Sequence, residues 1–295
     1  MDGGQEGARI GEILLNSVAL LEQAGVDQSR IDAELLLGFC LSKTRTELYL
    51  STKETIDDSQ RAVFFRMIER RCNREPVAYI IGEREFWSRR FIVSPDVLIP
   101  RPETEFLVEE ALRAGRESGR FKRSLDLCCG SGIIGIILAL ETGCRVVATD
   151  ISVEALAVCR QNCVLHGVSD LVLPVLSDLA TAVRYDQGFD LITANPPYIS
   201  CDEIVSQLEP EVASFEPHLA LDGGTDGFNL IRRIAGCFDF LLRPGGHFFM
   251  EIGYTQGAQA VEIISREDRG GSFASVTVLE DYAGRDRVIH VRKKE

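Results

Sequence analysis

The stretch SLDLCCGSGIIGIILALE, residues 124–141, decides the fold. Its first six residues are apolar enough for a buried strand. Gly130, Ser131, Gly132 and Gly135 then break the pattern, and an apolar helix comes at once. A strand, a glycine turn and a helix in that order form the opening unit of a doubly wound α/β sheet. Working outward, the alternation continues. RVVATD (145–150) reads as a strand and VEALAVCRQNCVLH (153–166) as a helix. LVLPVL (171–176) and FDLITA (189–194) read as strands, and DGFNLIRRIAGCFDFLL (226–242) as one long helix ended by Pro244-Gly245-Gly246. HFFMEI (247–252) is a strand and AQAVEIISRE (258–267) a helix. SVTVLE (275–280) and RVIHVRK (287–293) close the chain as an antiparallel pair. Such alternation predicts a mainly parallel sheet with helices on both faces.

Upstream the text differs. Ile13, Leu14, Val18 and Leu21 recur at helical spacing, as do Ile31, Leu35, Leu36 and Phe39. A third helix is expected over 58–73, stopped by Pro76. No strand pattern appears, so residues 1–84 are expected to form a small helical domain. EFWSRRFIVSP (85–95) reads as two short extended pieces, which makes 85–98 a hairpin linker and 99–295 the α/β domain.

The 295 residues carry a net charge of -13, which argues against stable nucleic-acid binding. No run is long and apolar enough for a membrane span, and the start lacks the pattern of a signal peptide, so a cytoplasmic protein is expected. The nine cysteines include no CxxC pair. Cys159 and Cys163 share a helix face, but reduced buried thiols explain the set better than a metal, and none is implied.

The glycine loop, with Cys128, Cys129, Gly130, Ser131 and Gly132, would bring backbone close to a ligand at a helix N-terminus. Asp150 ends the second strand, where its carboxylate can accept both hydroxyls of a ribose. A dinucleotide and S-adenosylmethionine both fit these residues. Three features favour S-adenosylmethionine: Asp126 inside the first strand, Asp178 at the end of the third, and the loop after the fourth. The fourth strand runs straight into that loop, Asn195-Pro196-Pro197-Tyr198. The two prolines keep it from winding into a helix and leave its carbonyls free to accept. The Asn195 side-chain oxygen and the Pro196 carbonyl can then hold the two N–H groups of a planar amide or aryl-amino nitrogen. Such a nitrogen has a delocalised lone pair and needs orienting. Tyr198 would pack on the flat group. A methyltransferase acting on such a nitrogen is the expected activity.

Several segments together resemble the release-factor glutamine methyltransferases: DAELLL (32–37), EPVAY (75–79), REFW (84–87), VLIPRPETE (97–105), NPPY (195–198) and FEP (215–217). The likeness spans essentially the whole chain. It implies a Rossmann-like class I methyltransferase sheet with an antiparallel last strand, and S-adenosylmethionine as cofactor. The implied substrate is the glutamine of the Gly-Gly-Gln motif in class I peptide chain release factors, methylated at its N5 amide. It also implies that 195–198 hold the amide and Asp150 the ribose, that IPRPETE (99–105) covers the cofactor pocket, and that the helical domain docks the release factor. A ribosomal-protein glutamine, or an amino group of DNA or RNA, is the alternative target.

Two positions depart from the family pattern. Cys128 stands where a glycine is usual, so a positive φ is not expected there. Leu179 comes after Asp178 where an aromatic is common, so apolar packing is expected rather than stacking. Arg66, Arg70 and Arg74, spaced four apart with Arg71 alongside, would form one basic helix face that either steers an acidic partner or is merely solvated. His166, His218, His247 and His290 read as isolated.

Overall fold

The computed structural model describes residues 9–119, 121–184, 188–268 and 270–295, and they divide into two compact units. One comprises the chain up to Gly82 together with Glu209–Phe215, and the other Glu83–Leu208 and Glu216–Glu295.

The first unit holds α1 (Ile10–Gln23), α2 (Ser29–Leu41), α3 (Arg45–Leu50), α4 (Asp58–Cys72) and α5 (Val77–Ile81). Capping boxes fix two of the starts, Thr44 with Glu47 for α3 and Asp57 with Gln60 for α4. The core gathers Ile13, Leu21, Leu36, Leu37, Phe64 and Ile68. The α2 stripe differs from expectation. Ile31, Leu35 and Phe39 are 40%, 40% and 44% exposed, while Ala33, Leu36 and Leu37 are buried. This helix is apolar on two faces, and periodicity alone cannot choose between them.

Charge is also buried in this unit. Arg71 is 6% exposed and donates through Nε to Asp32 at 2.8 Å. Its Nη2 donates to Glu211 at 2.8 Å, and Arg74 donates to the same carboxylate at 2.8 Å. The expected basic face therefore does not form. Arg74 lies beyond the end of α4 at φ 69°, and Arg70 is paired with Glu75. Removing one partner of a buried ion pair strands the others. We expect Arg71→Ala to cost about 3–5 kcal/mol, read as a lower denaturation midpoint in urea, with far less for Arg66→Ala.

The second unit opens with a hairpin, β1 (Glu83–Phe86) and β2 (Arg89–Ile92), turned by Trp87 and Ser88, both at φ 54°. Neither is glycine, and each pays for the left-handed conformation. The Glu105 carboxylate accepts the Trp87 N–H at 2.7 Å and helps hold the turn. The Asn162 amide clamps Ile92 from both sides, accepting its N–H at 2.7 Å and donating to its carbonyl at 3.0 Å.

The large sheet of this unit has seven strands: β3 (Arg123–Leu127), β4 (Arg145–Asp150), β5 (Val172–Leu176), β6 (Phe189–Ala194), β7 (Leu242–Glu251), β8 (Phe273–Glu280) and β9 (Asp286–Lys293). Their order is β5-β4-β3-β6-β7-β9-β8. β5, β4, β3, β6 and β7 pair in parallel, and β9 runs antiparallel to both of its neighbours. This bears out the expected sheet. Helices α6 (Thr104–Ser118), α7 (Ile133–Thr142) and α8 (Val153–Leu165) cover one face; α11 (Asn229–Ala235), α12 (Phe238–Leu241) and α13 (Gly257–Glu267) cover the other. Between β6 and α11 in the chain come α9 (Cys201–Ser206), in this unit, and α10 (Pro210–Phe215), which belongs to the first. Alternation along each strand feeds the two cores: Leu191 and Phe249 enter one, Ile192 and Phe248 the other.

Two further expectations are corrected. The helix expected over 226–242 is interrupted at Gly236 and Cys237. Pro244, Gly245 and Gly246 lie inside β7, in an irregular stretch between the pairs Phe189↔Leu242 and Leu191↔His247, where a proline removes no ladder bond. His247 and His290 are not isolated. Their rings stack at 5.2 Å, His247 Nδ1 lies 2.9 Å from His290 Nε2, and His247 Nε2 lies 3.0 Å from Ser118 Oγ.

Burial, then the neighbouring His247 and the charges of Arg113 and Arg292, lower the His290 pKa to about 4. His247 is lowered as well, by burial and Arg292, with Glu117 opposing. The unfolded chain thus takes up a proton near pH 6.5 that the folded chain refuses. Stability conferred by neutral His290 is complete above that pH and is lost as pH falls toward about 4. Thermal unfolding between pH 7 and 4 should show this loss, reduced in His290→Gln.

Candidate active site

The carboxyl ends of β3, β4, β5 and β6 open on one cavity, where ligands bind in doubly wound sheets. Of the residues singled out in the sequence, Cys128, Cys129, Gly130, Ser131, Asp150, Asp178, Leu179, Asn195 and Pro197 line it. Asp126, Gly132, Pro196 and Tyr198 do not.

Asp126 is fully buried beneath the glycine loop. It accepts the Gly135 N–H at 3.1 Å and the Thr193 hydroxyl at 2.8 Å. Burial pushes its carboxyl up to about 7, against the lowering effect of those two bonds. Asp126 thus ties the start of α7 to β6. Asp150 sits above the loop and accepts Gly130 N–H at 2.8 Å and Ser152 N–H at 3.0 Å. Between these two acids the chain must turn sharply. Gly132 does so at φ 82°, where a Cβ would lie 2.5 Å from Cys159 Sγ. Cys128 turns as well, at φ 56°, contrary to expectation. The turn lets Cys129 donate to Thr149 carbonyl at 3.0 Å, and the closed loop offsets the cost of a non-glycine residue there. Leu179 also has positive φ and is buried, which accords with apolar packing. Both oxygens of Asp178 are bonded by Arg233, at 2.8 and 2.7 Å, so any amino group it held would share the carboxylate with that guanidinium.

Across the cavity lies the stretch from Asp96 to Thr104, with Pro100, Arg101 and Thr104 among the lining residues. Glu216, 4% exposed, holds this stretch by accepting Ile99 N–H at 3.2 Å and Arg101 Nη2 at 2.6 Å. Asn195 is half-buried at the end of β6 and donates through Nδ2 to Thr104 Oγ1 at 3.3 Å. Its side-chain oxygen is the end left for a ligand. The loop beyond rests on a close backbone approach. Gly227, at φ 77°, packs so near that a Cβ would lie 2.6 Å from the Tyr198 carbonyl. The Gln256 amide bonds that carbonyl at 3.0 Å and the Gly227 carbonyl at 3.2 Å.

Residue-by-residue reading missed Asn162, Thr104, Glu216 and Gln256 as supports. Asn162 joins the hairpin to the cofactor loop by donating to Ser131 carbonyl at 2.9 Å. The donor set fits a ligand bearing a ribose and a polar tail: the Asp150 carboxylate at a strand end, backbone at Gly130 and Ser131, and apolar walls from Ile133, Ile151 and Leu179.

A seven-stranded sheet with an antiparallel β9, a glycine loop clamped by Asp150 and an Asn-Pro-Pro-Tyr loop on the same cavity define a class I methyltransferase whose cofactor is S-adenosylmethionine. Residues 12–82 match the PrmC N-terminal domain and residues 102–215 the methyltransferase small domain. The release factor glutamine methyltransferase of Caulobacter vibrioides is 41% identical over 270 residues, covering 91% of each chain. That of Cereibacter sphaeroides is 39% identical over 285 residues, covering 96% of this chain and 98% of its own. The solved T. thermophilus 16S rRNA N2 G1207 methyltransferase, in complex with AdoMet and guanosine, is similar in fold alone. Its TM-score is 0.50 at 18% identity, over 72% of this chain and 50% of that one. The chain belongs to the release factor glutamine methyltransferase family.

Proposed function

We propose that this enzyme methylates the side-chain amide nitrogen of the glutamine in the Gly-Gly-Gln motif of class I peptide chain release factors, in the cytoplasm. The observation that carries the reading is the orientation of Asn195. Its NH2 is turned to Thr104, which leaves its oxygen as an acceptor on the cavity that Asp150 and the glycine loop share. An acceptor there suits an NH2 donor with a planar nitrogen.

S-adenosylmethionine supplies an electrophilic methyl group. In this proposal Asp150 holds the ribose, while the loop from Cys128 to Gly132 surrounds the polar end of the cofactor, on the foundation that Asp126 provides. Asn195 and the Pro196 carbonyl take the two amide N–H groups, fix the nitrogen's direction and stabilise positive charge developing on it. The amide needs no prior deprotonation, because its proton can leave to water after transfer. Pro197 lines the cavity, and Tyr198 braces the loop from behind. The helical unit docks the release factor. Among the described residues no helix is long and apolar enough to cross a membrane.

The test is transfer of label from radiolabelled S-adenosylmethionine to a release factor and to the same factor with its Gly-Gly-Gln glutamine changed to alanine. Label on the first alone supports the proposal. Label on neither, with the cofactor still bound, overturns the substrate and moves the search to ribosomal proteins and nucleic acids.

A further inference from the structure

Glu251 ends β7 and is 1% exposed, yet it does not line the cavity. One oxygen, Oε2, accepts the Thr104 hydroxyl at 2.7 Å; the other, Oε1, accepts the Tyr198 hydroxyl at 3.2 Å. Thr104 is itself 1% exposed and opens α6. The carboxylate thus touches both sides of the site, the IPRPETE stretch and the Asn-Pro-Pro-Tyr loop. A threonine hydroxyl has one proton. Once that proton is given to Glu251, Thr104 Oγ1 can only accept toward Asn195. Only the NH2 end of an asparagine amide satisfies an acceptor, so the Asn195 oxygen is forced the other way.

We propose that Glu251 is a positioning residue that sets the orientation of the Asn195 amide through the Thr104 hydroxyl, and thereby makes the site an acceptor of substrate N–H groups. Glu251→Gln keeps the shape but can donate to Thr104. The threonine proton is then free to turn to Asn195, and the amide can flip to present its NH2. A second donor facing the substrate NH2 repels it. Burial raises the Glu251 pKa; the bond from Thr104, the positive charge of Arg287 of β9 (itself paired with Asp281) and the bond from Tyr198 oppose the rise, and Glu103 at the start of α6 adds to it.

The role in catalysis rests on the proposed glutamine chemistry, but the orientation itself is observable without substrate. In full-length protein labelled with 15N, the Asn195 side-chain NH2 signal is identified by its loss in Asn195→Asp. We expect solvent exchange of that NH2 to quicken roughly tenfold in Glu251→Gln and in Thr104→Val, the loss of about one net hydrogen bond. With release factor as substrate, kcat should fall roughly 10- to 100-fold in each variant with KM for the cofactor little changed. The double variant should be no worse than either single, and Thr104→Ser, which keeps the hydroxyl, should lose far less than Thr104→Val. An unchanged Asn195 signal in both variants, or losses that multiply in the double variant, would overturn the proposal. If wild-type enzyme fails to label the release factor while the signal shifts as described, the substrate reading falls and the role of Glu251 stands.

Discussion

Asn195→Ala enzyme should bind S-adenosylmethionine with near-normal affinity and lose methyl transfer by on the order of 10²–10³-fold. The asparagine reaches the cavity from the end of β6, whereas the glycine loop is clamped by Asp150 and the helix after it by Asp126. Removing the Asn195 side chain takes away the acceptor proposed for the substrate nitrogen and leaves the Asp150 bonds to the glycine loop intact. The loss should therefore appear in kcat rather than in the dissociation constant measured by calorimetry. Asparagine to aspartate is the sharper companion. It keeps an acceptor but loses the donor to Thr104, so it should retain more activity than alanine only if acceptance matters more than orientation.

Gly227→Ala should damage the same step from a distance. A Cβ at this position would sit 2.6 Å from the Tyr198 carbonyl and 2.8 Å from Gln256 Nε2. The first of these is backbone and cannot swing aside. The left-handed conformation at φ 77° adds a cost of about 1–2 kcal/mol for any L residue. The chain can relieve the clash only by lifting the loop after Asn195 away from Gln256. We expect a loss of more than about 2 kcal/mol in unfolding free energy, together with lowered kcat and preserved cofactor binding. Calorimetry, urea unfolding and the labelling assay on one preparation separate the three. Wild-type kcat in Gly227→Ala would show that the bed beneath Tyr198 does not position the catalytic loop.

The sheet was legible because its central strands are largely buried and read as short, mostly apolar runs, SLDL, RVVAT and FDLITA, each followed by a turn or a helix. The cofactor loop and the Asn-Pro-Pro-Tyr loop were legible because glycine and proline restrict the backbone locally. The features that escaped were set by contacts distant in sequence. Thr104 meets Glu251 across 147 positions, Arg101 meets Glu216 across 115 and Ile92 meets Asn162 across 70. No periodicity records such pairs. The same holds for Cys128, whose positive φ is imposed by the bonds of Cys129 and Gly130 to β4, and for His247 and His290, which become neighbours only when β7 and β9 pair. Helix α6 escaped for a local reason, since Pro100 and Pro102 favour extended backbone up to its first residue, Thr104.

The most direct test of the central claim is tandem mass spectrometry of a release factor treated with the enzyme and S-adenosylmethionine, with the Asn195→Ala enzyme alongside. The predicted result is one methyl group, on the glutamine side chain of the Gly-Gly-Gln peptide, formed by wild-type enzyme and formed on the order of 10²-fold or more slowly by the variant. A methyl group on any other residue, or on that glutamine at equal rates with both enzymes, would contradict it.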